Sequence, residues 1–413
     1  MKKVVAVYGA IDRMNYGDLL FPLVFKAAFA DSAPADLQLE YFGLVASNLA
    51  QYGALPSRPL HEMFDPKVVP DGGSIVIVGG ETLSCDWGDA HYYLEGRFSL
   101  EQRIINKLGG RNALNRAVAR KYGVPSTMPY VFRPDQFKAR IRIAHNAVGG
   151  SNLAAKPPIA ELVFADIFTS DYISVRDKWS RDILSSARKT RSGCSVGLSP
   201  DSAVLMSEYF PRKRLEELVT PETSKIVRDF KPGHYFCLQV KNSLGGQSAA
   251  EIAEQVTSIH RDLGLPCVLL PIGRAFGHSD HLILSRVREQ LRTPVALPEQ
   301  NTIFDTMALI ANAAAFAGTS LHGAITAISY GVPHFALSAK DLKVPAFLDT
   351  WDVDLQRVIR RFDELAIGTK AVMQIPSTEL QANAKRVIAE AHRGMTDLAA
   401  ALELPKPAPL NAR

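Results

Sequence analysis

Short apolar runs rich in Val, Ile and Tyr alternate with longer segments of helical periodicity along most of this 413-residue chain. Runs of this length predict β-strands, and helical segments between them predict parallel pairing. In the first half of the chain the runs lie at residues 4–8, 39–44, 74–78, 142–148 and 172–175. We therefore expect an α/β domain whose mainly parallel sheet is covered by helices on both faces.

The second half of the chain repeats this alternation. Its predicted strands lie at 235–240, 267–271, 294–297 and 314–317, and its predicted helices at 249–263, 279–291 and 304–313. Residues 306–339 contain no Asp, Glu, Lys or Arg, but glycines, a proline and two histidines interrupt the stretch. This stretch therefore predicts a buried core rather than a membrane span.

The two halves predict an N-terminal Rossmann-like domain over 1–190 and a C-terminal one over 191–378. The polar stretch 185–195 is typical of a linker. A last helix and tail over 379–413 open no third sheet, and we expect them to pack back on the N-terminal domain. The expected fold class is thus α/β, with two doubly wound Rossmann-like domains facing each other across a cleft. Such folds bind ligands at the carboxyl ends of their strands.

The spacing of the cysteines indicates whether a metal site or disulfides are expected, and the N-terminal sequence indicates whether a signal peptide is expected. The four cysteines, Cys85, Cys194, Cys237 and Cys267, lie far apart, without a Cys-x-x-Cys motif or paired histidines. This spacing predicts neither a zinc site nor a disulfide framework, and we expect no metal. The apolar run after Met1-Lys2-Lys3 is too short for a signal peptide, so we expect a cytoplasmic protein.

The loop after the first predicted strand, residues 9–18, places Gly17 and Asp18 at the entry to a helix. The loop matches neither Gly-x-Gly-x-x-Gly nor a P-loop, so it carries no fingerprint for a dinucleotide or for ATP. Asp18, with Gly17 beside it, is a candidate for binding acceptor hydroxyls. The alternative is that Asp18 only caps the helix and Gly17 only forms a turn.

Gly79, Gly80 and Glu81 directly follow the predicted strand at 74–78. Glycines at a strand end let the backbone approach a ligand closely, and the Glu81 carboxylate could accept hydrogen bonds from sugar hydroxyls. We therefore assign Gly80 and Glu81 to the acceptor side. The alternative is a turn that merely ends the strand.

Arg176 and Asp177 follow the predicted strand at 172–175. Asp177 is expected to cap the next helix, and Arg176 to hold a carboxylate or phosphate with its two-pronged guanidinium. The alternative for Arg176 is an ion pair with a neighbouring Asp. Lys241 and Arg274, which also follow predicted strands, are further cations for an anionic donor or are simply polar surface residues.

The sharpest candidate is the turn Gly318-Thr319-Ser320-Leu321-His322-Gly323 between a buried strand and the helix predicted over 324–330. The first turn of a helix offers N–H groups that bind anions, and the helix dipole favours the neutral form of a histidine there. A single histidine is more often structural than functional. Here its small, apolar and glycine-rich surroundings at a strand-to-helix switch favour a functional role for His322.

Several of these motifs together resemble the polysaccharide pyruvyl transferase family. The matching segments are 15–18 (Asn-Tyr-Gly-Asp), 79–83 (Gly-Gly-Glu-Thr-Leu), 173–177 (Ile-Ser-Val-Arg-Asp), 199–203 (Ser-Pro-Asp-Ser-Ala) and 321–323 (Leu-His-Gly), followed by 331–333 (Gly-Val-Pro). The resemblance implies a GT-B-like fold and transfer of pyruvate from phosphoenolpyruvate to sugar hydroxyls, forming a ketal. It also implies that His322 is catalytic. The helix N-terminus at Gly323 is expected to help to bind the anionic donor.

The chain departs from the family motif Arg-Leu-His-Gly, because Ser320 stands where the arginine would be. In the family that arginine helps to hold the anionic donor. Ser320 occupies the donor-binding position without the charge, so Arg176, Lys241 or Arg274 would have to supply it, or the donor is different. Two alternatives stay open: a GT-B glycosyltransferase that uses a nucleotide sugar, and a saccharide-binding homologue without catalysis.

The implied partners are phosphoenolpyruvate, as co-substrate in place of a cofactor, and a saccharide acceptor that is lipid-linked or nucleotide-linked.

The net charge of +5 lies entirely in the first half of the chain, where residues 101–142 carry 10 basic and 2 acidic residues. Residues 101–123 predict a helix with Ile104, Ile105, Leu108, Leu114 and Val118 on one side, and Gly109-Gly110 is a potential break in it. This basic, partly apolar segment suits contact with an anionic membrane at its inner face, or it is a solvated helix. We expect no nucleic acid, because no aromatic platform accompanies it.

Overall fold

The structure is a computed structural model, and it describes residues 3–30, 37–189, 193–241, 248–273, 280–299, 301–337 and 342–407. The chain divides into two compact units. The first unit comprises Met1–Ala50, Ala54–Ser202 and Glu390–Arg413, and the second comprises Gln51–Gly53 and Ala203–Ala389. Each unit contains its own parallel sheet and its own hydrophobic core.

The sheet of the first unit has the strand order β3-β2-β1-β4-β5-β6-β7, and the pairs that the structure describes are all parallel. Its strands are β1 (Lys3–Tyr8), β2 (Leu37–Gly43), β3 (Arg58–Pro59), β4 (Ser74–Val78), β5 (Arg142–Val148), β6 (Tyr172–Val175) and β7 (Val196–Leu198). The helices of this unit are α1 (Tyr16–Ala30), α2 (Trp87–Glu95), α3 (Leu100–Lys121), α4 (Pro157–Asp166) and α5 (Lys178–Arg188).

The sheet of the second unit has the order β10-β9-β8-β11-β12 and is also parallel in its described pairs. Its strands are β8 (Phe236–Gln239), β9 (Cys267–Leu269), β10 (Val295–Ala296), β11 (Ala315–Gly318) and β12 (His334–Ala336).

The helices that follow in chain order are α6 (Met206–Tyr209), α7 (Arg212–Leu218), α8 (Pro221–Phe230), α9 (Ala249–Leu263), α10 (Asp280–Gln290), α11 (Ile303–Ala311), α12 (Leu321–Tyr330), α13 (Lys343–Trp351), α14 (Asp354–Arg357), α15 (Leu365–Val372) and α16 (Ser377–Ala401). Short 3₁₀ turns lie at Ala50–Tyr52, Leu60–Phe64, Pro134–Gln136, Leu153–Ala155, Ile167–Thr169, Ser202–Leu205 and Phe362–Glu364. Helix α16 begins in the second unit, and its residues from Glu390 onward count with the first.

Both strand orders are those of doubly wound Rossmann-like sheets, which confirms the predicted fold class. The strand order reverses between β1 and β4 in the first sheet and between β8 and β11 in the second. At such a reversal the connecting helices leave toward opposite sides, so a crevice opens at the carboxyl ends of the two strands. The carboxyl ends of β1, β4, β8 and β11 therefore lie at the two places where this fold binds ligands.

The first unit extends beyond the predicted boundary at residue 190. Strand β7 pairs in parallel with β6, and the unit runs to Ser202. The stretch predicted as a linker, 185–195, is helical in its first part, because α5 continues to Arg188. Strands β3, β7 and β12, each two or three residues long, lie outside the runs predicted as strands. The segment Glu390–Arg413 belongs to the first unit.

The helix predicted over residues 101–123 is interrupted at Gly110, within the Gly109-Gly110 pair where a break was expected, and the interruption divides the predicted apolar side in two. Helix α3 is kinked at Gly110, whose φ of 69° and ψ of −176° are not helical. Leu114 and Val118, beyond the kink, are fully buried, whereas Ile104 and Leu108, before it, are exposed. The kink changes the direction of the helix, so the two parts present different faces to the core.

Among the described residues, none of the helices combines the length and the apolar character that crossing a membrane would require. All four cysteines are free thiols, and Cys237 and Cys267 are buried.

Candidate functional site

At the switch point of the first sheet, the loop after β4 is shaped by two consecutive glycines. Gly79 and Gly80 have φ values of 55° and 76°, which favour glycine. A Cβ on Gly79 would also lie 2.2 Å from the ring of Phe21. The Gly80 carbonyl accepts a hydrogen bond from the N–H of Gly149 at 2.7 Å, which ties this loop to the loop after β5.

Asp18 lies beside this loop. Helix α1 begins at Tyr16, so Gly17 and Asp18 belong to its first turn, and Asp18 is not the residue that caps it. Asn15 precedes the helix and donates a hydrogen bond from Nδ2 to Asp18 Oδ2 at 2.8 Å. A Cβ on Gly80 would lie 3.7 Å from Asp18 Oδ1. The two predicted acceptor-side residues are therefore neighbours in the structure.

Arg176 lies between two carboxylates. Its side chain is 1% exposed; Nη2 contacts Glu81 Oε2 at 2.9 Å, and Nη1 contacts Asp201 Oδ2 at 3.1 Å. We call Arg176, Glu81 and Asp201 the ion trio. Burial alone would lower the pKa of Arg176, but the charges of Glu81 and Asp201 outweigh burial and raise it. Arg176 is therefore engaged in ion pairs, as the alternative interpretation of the sequence proposed, and its role in donor binding stays a prediction.

Glu81 is also held on its other oxygen. Oε1 accepts hydrogen bonds from the backbone N–H and Nδ2 of Asn152, both at 3.2 Å, and from the hydroxyl of Ser151 at 3.3 Å. Gly149 makes room for the ion trio, because a Cβ there would lie 2.3 Å from Glu81 Oε2. Glu81 is consequently fixed in one orientation at the switch point.

Asp177, next to Arg176 in the chain, caps α5 as predicted. Its Oδ1 accepts the N–H of Ser180 at 2.7 Å, and its Oδ2 accepts the hydroxyl of the same residue at 3.0 Å. Burial raises the pKa of Asp177. The cap begins α5 directly after β6 and so places Arg176 at the strand end.

At the switch point of the second sheet, Gln239 joins three elements. It is the last residue of β8 and is buried. Its Nε2 donates to Asp280 Oδ2 at 2.8 Å, and its Oε1 accepts the N–H of Thr319 at 2.9 Å. A Cβ on Gly318 would lie 2.9 Å from Gln239 Oε1, so this glycine allows the amide to approach. Gln239 thereby holds the start of the turn that carries His322.

Asp280, in the first turn of α10, is buried beneath this edge. Its Oδ2 also accepts the N–H groups of Ile272 and Gly273 at 3.2 and 3.0 Å. Its Oδ1 has no hydrogen-bond partner among the described residues. Burial raises the pKa of Asp280 from 3.8 to about 6, against the opposing effects of Gln239, of the two N–H groups and of the Lys241 charge.

The turn after β11 is built on small residues. Ser320 is the N-cap of α12, and its Oγ accepts the N–H of Gly323 at 3.2 Å. Gly323 is required by packing, because a Cβ there would lie 2.3 Å from the ring of Phe316. His322 is half-buried in the first turn of α12, and its carbonyl accepts the hydroxyl of Thr326 at 2.6 Å. The N–H of Gly323, predicted to help hold a donor, is thus already hydrogen-bonded within the protein.

The remaining predicted cations differ in position. Lys241 follows β8 by two residues and lies close enough to Asp280 to influence its pKa. Arg274 lies outside the described residues.

Sequence reasoning missed Gln239 and Asp280 as site residues. Gln239 ends a strand whose preceding residues, 236–238, are all apolar, and a lone amide at the carboxyl end of a buried strand is the signal that could have identified it. Asp280 carries no comparable signal, because its burial depends on where α10 packs. Arg13 in the first unit was also missed; it donates to the hydroxyl of Tyr130 at 3.0 Å and to the carbonyl of Ala90 at 3.2 Å.

The two units together have the fold of GT-B-type proteins. UDP-GlcNAc 2-epimerase from Neisseria meningitidis, bound to UDP-GlcNAc, matches with a TM-score of 0.56 and 12% identity over 97% of this chain and 100% of that chain. S. aureus MnaA, in a co-structure with UDP, matches with a TM-score of 0.56 and 13% identity over 99% of both chains. UDP-GlcNAc 2-epimerase from Methanocaldococcus jannaschii gives a TM-score of 0.53 at 12% identity over 94% and 98%.

Residues 159–341 match the family model described as polysaccharide pyruvyl transferase. The resemblance predicted from the sequence motifs is thereby confirmed over this segment, which includes Arg176, Asp201 and His322. A comparison with curated proteins finds no match.

The ion trio predicts a large effect for Arg176→Gln. The change leaves Glu81 and Asp201 buried without a countercharge, so we expect a loss of about 3–5 kcal/mol in the free energy of unfolding. Urea denaturation measures this loss. In the matched control, Arg361→Gln, an exposed arginine loses its pair with Asp363, and the midpoint of unfolding should hardly move. Equally small losses in both variants would show that the ion trio does not stabilise the fold.

The raised pKa of Asp280 predicts a pH-dependent stability. The protonated carboxyl contributes stability that is fully present below about pH 4 and is lost as the pH rises through about 6. The difference between the two pKa values, 3.8 and about 6, corresponds to about 3 kcal/mol in the free energy of unfolding. Asp280→Asn cannot ionise, so its free energy of unfolding should rise relative to the wild type by about that amount between about pH 4 and about pH 7.

Urea denaturation at the two pH values measures this difference, and Asp262→Asn, which changes an exposed carboxylate of the same unit, is the control. A constant difference between Asp280→Asn and the wild type at both pH values would contradict the assignment.

Proposed function

We propose that this protein is a polysaccharide pyruvyl transferase, which transfers pyruvate from phosphoenolpyruvate to sugar hydroxyls and forms a ketal. The observation that carries the proposal is the family match over residues 159–341. That segment contains the turn with His322 at the switch point of the second sheet, where a doubly wound fold binds its ligand. In this proposal the enzyme acts in the biosynthesis of a cell-surface polysaccharide or exopolysaccharide.

The reaction joins phosphoenolpyruvate to two hydroxyls of one sugar and releases phosphate. A proton is added to the methylene carbon, which becomes a methyl group, and the adjacent carbon gains cationic character. One sugar oxygen bonds to that carbon, and the second sugar oxygen then displaces the phosphate. Of the two protons that the hydroxyls lose, one balances the proton added to carbon and the other leaves with the phosphate.

His322 is the proposed proton carrier. An imidazole has two ring nitrogens that can accept and donate a proton, so it can accept one from a sugar hydroxyl and deliver one to carbon. Its position in the first turn of α12 supports this role, because the helix start also favours the developing negative charge of the phosphate.

The donor anion needs positive charge, which Ser320 does not supply. Lys241, two residues after β8 and close to Asp280, is a proposed partner of the phosphate or carboxylate, and Arg274 is a second. Ser320 contributes by capping α12, and Gly323 by its close packing on Phe316. Arg176 contributes through the ion trio, whose two carboxylates already balance its charge.

The acceptor is proposed to bind at the first unit. Asp18 and Gly80 are neighbours at its switch point, where a carboxylate and an open backbone suit sugar hydroxyls. Gly17 lies beside Asp18 in the helix, and Glu81 shapes the same loop. We propose that the acceptor is a lipid-linked or nucleotide-linked saccharide and that the protein works in the cytoplasm, at the inner face of the membrane.

A nucleotide-sugar-dependent GT-B glycosyltransferase is the second candidate. It is favoured by the fold matches to proteins whose structures hold UDP-GlcNAc or UDP. Ser320 is compatible with it, because a serine N-cap at the start of α12 suits a diphosphate as well as it suits phosphoenolpyruvate.

Removal of the imidazole tests the proposed proton carrier. His322→Ala should reduce phosphate release from phosphoenolpyruvate, measured with a panel of lipid-linked and nucleotide-linked saccharides, by about 10²–10⁴-fold. His281→Ala removes an exposed imidazole of the same unit and should leave the rate unchanged. A wild-type rate in His322→Ala would exclude His322 as the proton carrier.

A thermal-shift panel separates the two candidate functions. Phosphoenolpyruvate should raise the melting temperature of the wild type, because a ligand that binds only the folded state stabilises it. This rise should shrink in Lys241→Gln. Stabilisation by UDP-sugars together with no response to phosphoenolpyruvate would favour the glycosyltransferase, and stabilisation by saccharides alone would favour a binding protein without catalysis.

A further inference from the structure

Large apolar side chains exposed to solvent are concentrated in one part of the first unit. Leu100, Ile104 and Leu108 are 68%, 48% and 82% exposed, and Tyr92 and Tyr93 in α2 are exposed as well. Residues four apart in a helix lie above one another on one face. We call Leu100, Ile104 and Leu108 the α3 ridge. A group of this kind differs from single exposed apolar residues, which need no explanation.

The first part of α3 has its polarity reversed. Gln102, on the opposite side from the α3 ridge, is buried, and its Oε1 contacts His91 Nε2 at 3.1 Å and accepts the N–H of Ser99 at 2.8 Å. A surface helix normally buries its apolar face and exposes its polar one. Here a polar residue faces the interior and the apolar residues face outward, which water alone would not favour.

The backbone maintains this arrangement. Gly110 has a φ of 69°, which few residues other than glycine adopt, and it separates the α3 ridge from the buried part of the helix. Directly after the kink, Arg111 is ion-paired with Asp86 and Asp89. The kink and this anchor together prevent a simple rotation of α3 that would bury the α3 ridge.

The charges beside the α3 ridge are mainly positive. Arg97, Arg103 and Lys107 are exposed and make no ion pair with any residue that the structure describes. Arg111 is different, because it is committed to Asp86 and Asp89 and contributes to the fold. Of the nearby acidic residues, Glu95 pairs with Lys121, and Glu101 is exposed.

We propose that the α3 ridge with Arg97, Arg103 and Lys107 docks on the surface of an anionic lipid bilayer. The three apolar side chains enter the boundary between headgroups and acyl chains, and the cations lie among the anionic headgroups. Tyr92 and Tyr93 suit the same interface, where tyrosine is enriched. Charge complementarity selects a membrane over a second copy of this positively charged surface. The proposal does not depend on pyruvyl transfer.

Flotation of the full-length protein with vesicles tests the docking. The wild type should bind vesicles of phosphatidylcholine with phosphatidylglycerol, bind poorly to phosphatidylcholine alone, and lose affinity as salt rises. Arg103→Gln with Lys107→Gln should weaken binding about 30-fold and reduce its salt dependence. Ile104→Ser with Leu108→Ser should weaken binding about 10-fold or more without reducing the salt dependence.

The matched control is Arg116→Gln with Arg120→Gln, which removes the same charge from exposed positions of the same helix beyond the kink. It should bind like the wild type. Equal losses in this control and in Arg103→Gln with Lys107→Gln would overturn the proposal, because net charge alone would explain them. Undiminished binding of the vesicles by the serine variant, Ile104→Ser with Leu108→Ser, would overturn the proposal too. So would a wild type that ignores vesicles but sediments as a dimer, with the serine variant a monomer.

Discussion

In both sheets of this protein the strands pair in parallel, and this pairing determines where the connecting helices and the polar loops lie. A parallel connection must cross a face of the sheet, and the direction of crossing changes at β1 and at β8. At that change no helix covers the carboxyl ends of the strands. Polar groups gather there and contact one another, and they constitute the candidate site.

The two units satisfy these groups with different chemistry. The first uses full charges: Arg176 is clamped by Glu81 and Asp201, and Glu81 is held in turn by Asn152. The second uses a neutral amide, Gln239, and a buried carboxyl, Asp280, whose pKa of about 6 makes it sensitive to pH. The second arrangement changes its charge near pH 6, beside the turn that carries His322.

Much of the fold could be predicted because a buried parallel strand must be a continuous apolar run. Strands β4, β5 and β6 have the bounds that their Val and Ile runs predicted. Strands β7 and β12 were not predicted; each is three residues long and is defined by its pairing with a neighbouring strand. The kink at Gly110 leaves Leu108 exposed and Leu114 buried, because a backbone angle at one glycine decides which face of each part of the helix meets the core.

The sequence by itself determined which residues stand at the strand ends, because strand and helix periodicities place the loops between them. On that basis alone, Arg176, Glu81 and His322 could be predicted as candidate site residues. Only the tertiary structure decided what these side chains touch. Arg176 meets Glu81 because β4 and β6 both pair with β5, which brings the ends of the two strands within reach of each other. Gln239 meets Asp280 because the start of α10 lies beside the end of β8. Partners so distant in the chain depend on strand order and helix packing, which local periodicity does not encode.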